Sequence, residues 1–213
     1  MKSPLDSMQK RTRRYWYEDG LSELAGGSVI LLLALLNLAI ARFSPPEWQG
    51  LLSAVVLPLV VIGGAVIARA GVQRLKERLT YPRTGLVIYP RPRPSRRFRT
   101  AGIALGTAVT VALLSSLLGA AQAERLLPAV TGLFTALLIV LIGIQVGLVR
   151  FYLLAVWQTV IGLLGSWLAL PQPFDLVLFF GGLGAGFLVS GALTLIRYLR
   201  NNPLPPAGHE DQP

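Results

Sequence analysis

Basic residues in this chain fall into alternate gaps between long apolar stretches, and that pattern constrains the fold more than any other feature. Six such stretches divide the 213 residues. Of the 20 Lys and Arg, only Arg42 and Arg125 lie in the gaps after the first, third and fifth stretches. The other 18 lie before the first, after the second, around Arg150, or at the end. Cytoplasmic loops retain Lys and Arg, and that retention sets membrane orientation. The pattern predicts an all-α, polytopic helical membrane bundle with six transmembrane helices and both termini in the cytoplasm.

Composition points the same way. The chain is 53% hydrophobic and only 14% charged, with a mean hydropathy of +0.59, whereas soluble domains are about a quarter charged. A net charge of +10 could suggest nucleic acid, since a basic stripe is that class's electrostatic footprint. Here the excess flanks apolar stretches, where it faces anionic lipid headgroups instead, so no nucleic-acid partner is expected. The absence of cysteine excludes disulfides, thiolate catalysis and cysteine-ligated metals.

An uncharged run of eighteen or more residues is long enough to cross a bilayer, because about twenty residues at 1.5 Å span roughly 30 Å of hydrocarbon. The six runs are Leu24–Ala41, Leu51–Ala68 with Pro58 inside, Ala101–Ala123, Leu126–Val149, Phe151–Leu170 and Leu176–Ile196. Only Arg150 separates the fourth from the fifth. One helix over Leu126–Leu170 would be about 67 Å long, twice the bilayer core, so the chain must turn. Gly143, Gly147 and Arg150 mark the place: glycine ends helices in the left-handed conformation, and an interfacial arginine extends its head to water. Six spans also return Arg197 and Arg200 to the cytoplasm, whereas five would export them.

The remaining gaps are short. Phe43–Gly50, with Pro45, Pro46 and the interfacial Trp48, reads as an external turn. Gln122–Arg125 and the Pro171, Gln172, Pro173 segment read as two more. Ala39, Ile40 and Ala41 could form a signal-peptidase site, but Asp6, Glu18, Asp19 and Glu23 make the leading segment unlike a short basic n-region, and no cleavage is expected.

Arg14-Tyr15-Trp16 and Arg150-Phe151-Tyr152 each open a hairpin. Each hairpin continues through a proline-bearing turn to a helix with a glycine pair, Gly63-Gly64 and Gly181-Gly182. This is the signature of a duplicated helical hairpin, as in transporter repeats. Glycine and cytoplasmic arginine also recur in any multi-pass protein, and both readings stay open.

The stretch Arg69–Arg99 holds ten basic residues against one acid, Glu77. Its first part, Ala70–Leu79, continues the second helix beyond the membrane. Tyr81-Pro82-Arg83-Thr84-Gly85 reads as a turn, and Pro90–Arg99 as an extended, proline-spaced strip. Arg91, Arg93, Arg96, Arg97 and Arg99 are the candidate contacts for anionic lipid at the cytoplasmic face or for an acidic partner. The same arginines could serve as a topology signal and nothing else.

The segments Arg14–Leu21 (RYWYEDGL) and Arg78–Tyr89 (RLTYPRTGLVIY) resemble uncharacterised prokaryotic multi-pass membrane proteins. These pair an aromatic-acidic start with a Y-P-R-x-G stretch after the second span. The resemblance covers about the first 90 residues. It implies a membrane protein of unknown activity and carries over no catalytic role; the expected location is the plasma membrane of a prokaryote.

Glu18, Asp19 and Glu23 sit at the cytoplasmic mouth of the first span, and Asp19 and Glu23 share a helix face. They could admit a cation or proton. Pairing with Arg14 or with arginines of the Arg69–Arg99 loop is the favoured reading. Within the spans, Asn37, Gln145 and Gln158 are the strongest polar groups and should face other helices. Together they could line a solute path; singly they are interhelical hydrogen bonds. Glycines four apart (Gly102 and Gly106, Gly143 and Gly147, Gly182 and Gly186) allow close helix approach, within one chain or between copies.

Residues for catalysis are scarce. His209, the single histidine, lies in a polar tail, Asn201–Pro213, of disordered composition. Metalloprotease and phosphate-loop motifs are missing, as are zinc or heme ligand sets. The expectation is a non-catalytic scaffold, accessory subunit or lipid-interacting component without cofactor, partnered by the bilayer, by a membrane complex or by further copies of itself. A small-solute transporter or channel is the alternative.

Overall fold

The computed structural model describes residues 17–81, 116, 120–171 and 173–203, side chains of 120–124 excepted. The third apolar stretch, Ala101–Ala123, therefore falls almost wholly outside the described residues. So do Arg91, Arg93, Arg96, Arg97 and Arg99, and the tail from Leu204 onward.

The described elements are all helical: α1 (Leu21–Phe43), α2 (Pro46–Leu75), α3 (Ala120–Val146), α4 (Arg150–Leu168) and α5 (Phe174–Asn201). All five are long and apolar enough to cross a membrane. They extend past their apolar runs because flanking polar residues still prefer helix to an unpaired backbone. Thus α5 runs to Asn201, one residue into the segment read as tail. Helix α2 passes directly into a π-helical turn, Lys76–Thr80. The continuous helix Pro46–Thr80 has 35 residues, far more than the ~30 Å hydrocarbon core requires.

Helix ends follow local chemistry. Pro46 starts α2, where a missing N–H costs nothing. The side chain of Gln49 donates to the carbonyls of Ala41 (3.3 Å) and Ser44 (3.0 Å), closing the α1–α2 turn. Between α3 and α4 the chain reverses at Gly147, whose φ of 73° is a left-handed stop. Pro128 interrupts the backbone ladder inside α3, and the next amide, Ala129 N–H, donates across to Ser166 Oγ on α4 at 2.9 Å.

Helix α1 packs against α2 and α5, α3 against α4, and α4 against α5. Two tight pairs, α1–α5 and α3–α4, are therefore joined through α4 and α5. Glycine makes both pairs tight. A Cβ on Gly132 would stand 2.7 Å from the Gly162 Cα. Across α1 and α5 the contacts recur seven residues apart: Gly27 against Gly184, and Gly20 against Gly191. Of the small-residue pairs read from sequence, Gly182 and Gly186 both face α4, against Ile161 and Trp157. Gly143 meets Phe151 and Tyr152, Gly147 makes the turn, and Gly102 and Gly106 lie outside the described residues. The packed core lies among Ala136, Ile139, Val146, Phe151, Leu154 and Leu183. Helix α2 buries only Val72 and otherwise presents apolar residues such as Leu59, Ile62 and Val66 outward.

Candidate functional site

Polar groups gather at one end of the bundle, where α1 and α4 begin and α2 and α5 end. Asp19, Glu23, Lys76, Thr80 and Gln158 are buried, and all but Gln158 belong to this end. Water does not reach these groups, so each charge needs a partner.

Asp19 stands just before α1. One carboxylate oxygen, Oδ1, accepts from the Leu21 amide at 3.2 Å, occupying one of the unpaired N–H groups of the first turn. The other, Oδ2, pairs with Lys76 Nζ at 2.8 Å, both side chains 1% exposed. Thr80 Oγ1 donates to the same Oδ2 at 3.1 Å. Lys76 and Thr80 are the first and last residues of the π-helical turn. Both ends of the turn thus meet one carboxylate, and π-helical turns often mark sites under functional constraint. The segments Arg14–Leu21 and Arg78–Tyr89 thus meet here, through Asp19 of one and Thr80 of the other.

Glu23, one turn along α1, forms the second centre. Its Oε1 accepts from Arg150 Nε at 2.7 Å and lies 2.6 Å from Nη2. Both nitrogens on one carboxylate make a charge-assisted fork, stronger than a neutral hydrogen bond. Its Oε2 accepts from Ser190 Oγ of α5 at 2.6 Å. Arg150 Nη2 also donates to the Tyr17 carbonyl, and its guanidinium lies 5.6 Å from the centre of the Phe151 ring. Tyr17 meets that ring edge to face. Burial, and then the Glu23 charge, hold the Tyr17 phenol above its ordinary range, so it stays neutral.

Two carboxylates and two cations thereby tie α1 to α2, α4 and α5. Asp19 finds its partner inside the Arg69–Arg99 stretch, though it is a lysine. Glu23 pairs instead with Arg150, which the sequence reading sent to water as a turn marker. The Arg150 side chain is only 20% exposed. Glu18 remains exposed. Among the described residues no group of three His, Cys, Asp or Glu side chains is placed to hold a metal ion.

The three amides named from sequence stand on three different helices. Asn37, buried on α1, donates to the Leu33 carbonyl of its own helix at 3.2 Å, and it lines a 430 Å³ cavity with Gln49 and Ser53 toward the opposite end. Gln145, near the end of α3, is exposed. Gln158 is fully buried on α4 beside the Gly132–Gly162 contact, and neither amide atom has a hydrogen-bond partner. An orphaned polar group of this kind costs about 1–3 kcal/mol. Gln158→Met, which keeps the length and removes the polar atoms, is therefore expected to raise stability by about that amount. The unfolding midpoint in detergent should rise; an unchanged or lower midpoint contradicts the account of an unsatisfied amide.

No protein-family model matches the chain, and no curated protein or solved structure does either.

Proposed function

We propose that this protein is a non-catalytic component of a prokaryotic plasma membrane, a scaffold or accessory subunit. It crosses six times and presents its basic face to the cytoplasm. The observation that carries this reading is the use of buried charge. Asp19 with Lys76, and Glu23 with Arg150, are spent on fastening helices at one end. Intramembrane charges that serve transport line a path, whereas these fasten one helix to the next. The placement of the helix ends supports this reading: the described chain leaves Tyr81 at the ionic end and resumes as a helix at Ala120, at the other end. The outward apolar face of α2 is the natural contact for a membrane partner.

Gentle solubilisation from native membranes followed by affinity purification tests the reading. A second polypeptide retained in fixed proportion is expected, and it should be lost when Ile62, 65% exposed on α2, is replaced by Trp. A chain that purifies alone and carries a solute across liposomes would overturn it.

The transporter reading draws on one observation, the unpartnered amide of Gln158 at mid-helix. Under that reading Gln158→Met abolishes flux; under the scaffold reading it only stabilises.

A further inference from the structure

A cavity of about 980 Å³ lies between α4 and α5 at the ionic end, and its lining is sorted along its length. At the mouth stand Arg150, the first residue of α4, Arg197 and Tyr198 from the last turns of α5, and Asn202 just past its end, with Glu18 beside them. One to two turns inward the walls become Leu153, Trp157, Val189 and Leu193, with Ala185 at the far end. These wall residues are 44–68% exposed, so the groove is open along its side to whatever surrounds the helices. From Ala185 to Arg197 it runs about 18 Å along α5, more than half of a ~30 Å hydrocarbon core.

Polar groups within the apolar part are already occupied. Ser190 Oγ donates to Glu23, and Thr194 Oγ1 to the Ser190 carbonyl. Trp157 Nε1 donates to the Gly182 carbonyl at 2.8 Å, which fixes the indole against the groove. The inner part thus offers only apolar surface. At the mouth, Arg150 is partly engaged by Glu23, while Arg197 is exposed and makes no ion pair among the described residues. Two cations and two acids, Glu18 and Glu23, stand there, and Arg197 is the cation without an ion pair among the described residues.

We propose that this groove binds a single bilayer lipid with an anionic headgroup, one acyl chain lying along Trp157 and Leu193 and the headgroup held by Arg197. The unpaired Arg197 selects the sign of the headgroup, and the lateral opening admits a chain from the membrane without passage through water. The volume is at the upper end of the range for sites that enclose a small ligand. The proposal shares with the scaffold reading only the premise that the chain spans a bilayer, and it does not involve the Arg91–Arg99 strip.

Tryptophan quenching tests it on the whole protein. One version keeps only Trp157 and a second only Trp167, with the other tryptophans replaced by Phe. Trp167 is 76% exposed at the opposite end of α4 and reports ordinary boundary lipid. Each is reconstituted with brominated phosphatidylglycerol or brominated phosphatidylcholine. At Trp157 the anionic lipid should quench with about fivefold higher apparent affinity, the ratio that one surface arginine supplies. At Trp167 the two lipids should act alike. Arg197→Gln, an exposed change that leaves the packing alone, should bring the Trp157 ratio close to one. Ala185→Phe should reduce quenching at Trp157 by both lipids and leave Trp167 unchanged. Equal quenching at Trp157 by the two lipids overturns the proposal, as does a ratio unaffected by Arg197→Gln. Absence of quenching at Trp157 while Trp167 is quenched also overturns it, and would assign the groove to another part of the chain. Such failure leaves the membrane reading intact, because Trp167 still reports lipid.

Discussion

Lys76→Met is expected to destabilise the protein by about 3–5 kcal/mol, the usual cost of leaving one partner of a buried ion pair without its counter-charge. Asp19 would keep its Leu21 and Thr80 hydrogen bonds but lose the only cation within 4 Å among the described residues. The carboxylate is 1% exposed, so water cannot replace the ammonium. The loss should appear as a lower unfolding midpoint in detergent. Asp19→Asn combined with Lys76→Met should recover most of it. The amide oxygen can still accept from Leu21, and no net charge is then buried. Recovery in the double variant separates an uncompensated charge from mere loss of packing. If the double variant is as unstable as the sum of the singles, the pair is not coupled as described.

Gly20→Ala is the second large effect, at about 2–5 kcal/mol. Two costs combine: the left-handed backbone, φ 74°, disfavours any residue with a Cβ by roughly 1–2 kcal/mol, and overpacking adds roughly 1–3 kcal/mol. The new methyl would stand 2.5 Å from the Gly191 carbonyl oxygen and 2.9 Å from the Thr194 Cβ. Neither can withdraw without separating α1 from α5. Because Gly20 follows Asp19 directly, the shift should also loosen the ionic cluster. Gly26→Ala, a position with open space around it, is the control and should change the midpoint by little. Similar behaviour of the two variants would remove the steric argument.

Five of the six apolar runs and the break near Arg150 were legible in the sequence because both depend on local composition; the turn read over Gln122–Arg125 was not, since those residues lie inside α3. The extension of α2 past the membrane through Leu79 was legible as well, since the helical pattern does not stop at the last apolar residue. Pairing was harder to read. Glu23 and Arg150 are 127 positions apart, and an isolated arginine between two apolar runs looks the same whether it reaches water or a buried acid. A lone cation beside a turn, together with two acids on one helix face, was the available signal. The π-helical turn was hidden because Lys-Glu-Arg-Leu-Thr is an ordinary helix-forming run. Its two ends, Lys76 and Thr80, both meet Asp19, a contact 57 and 61 positions away in the chain. The glycine contacts were half visible. Gly182 and Gly186 show four-residue spacing within one helix, whereas Gly20 and Gly27 acquire meaning only opposite Gly191 and Gly184.

The central claim is that the ionic end of the bundle lies in the cytoplasm and the α1–α2 and α4–α5 turns lie outside. The chain contains no cysteine, so single cysteines report position without background. An impermeant thiol reagent added to intact cells should label cysteines at Glu47, exposed in the first turn of α2, and at Pro171, exposed between α4 and α5. Cysteines at Thr84 and at Asn201, the end of α5, should react only after the membrane is opened. Labelling of Asn201→Cys or Thr84→Cys in intact cells, with Glu47→Cys and Pro171→Cys protected, would contradict the account.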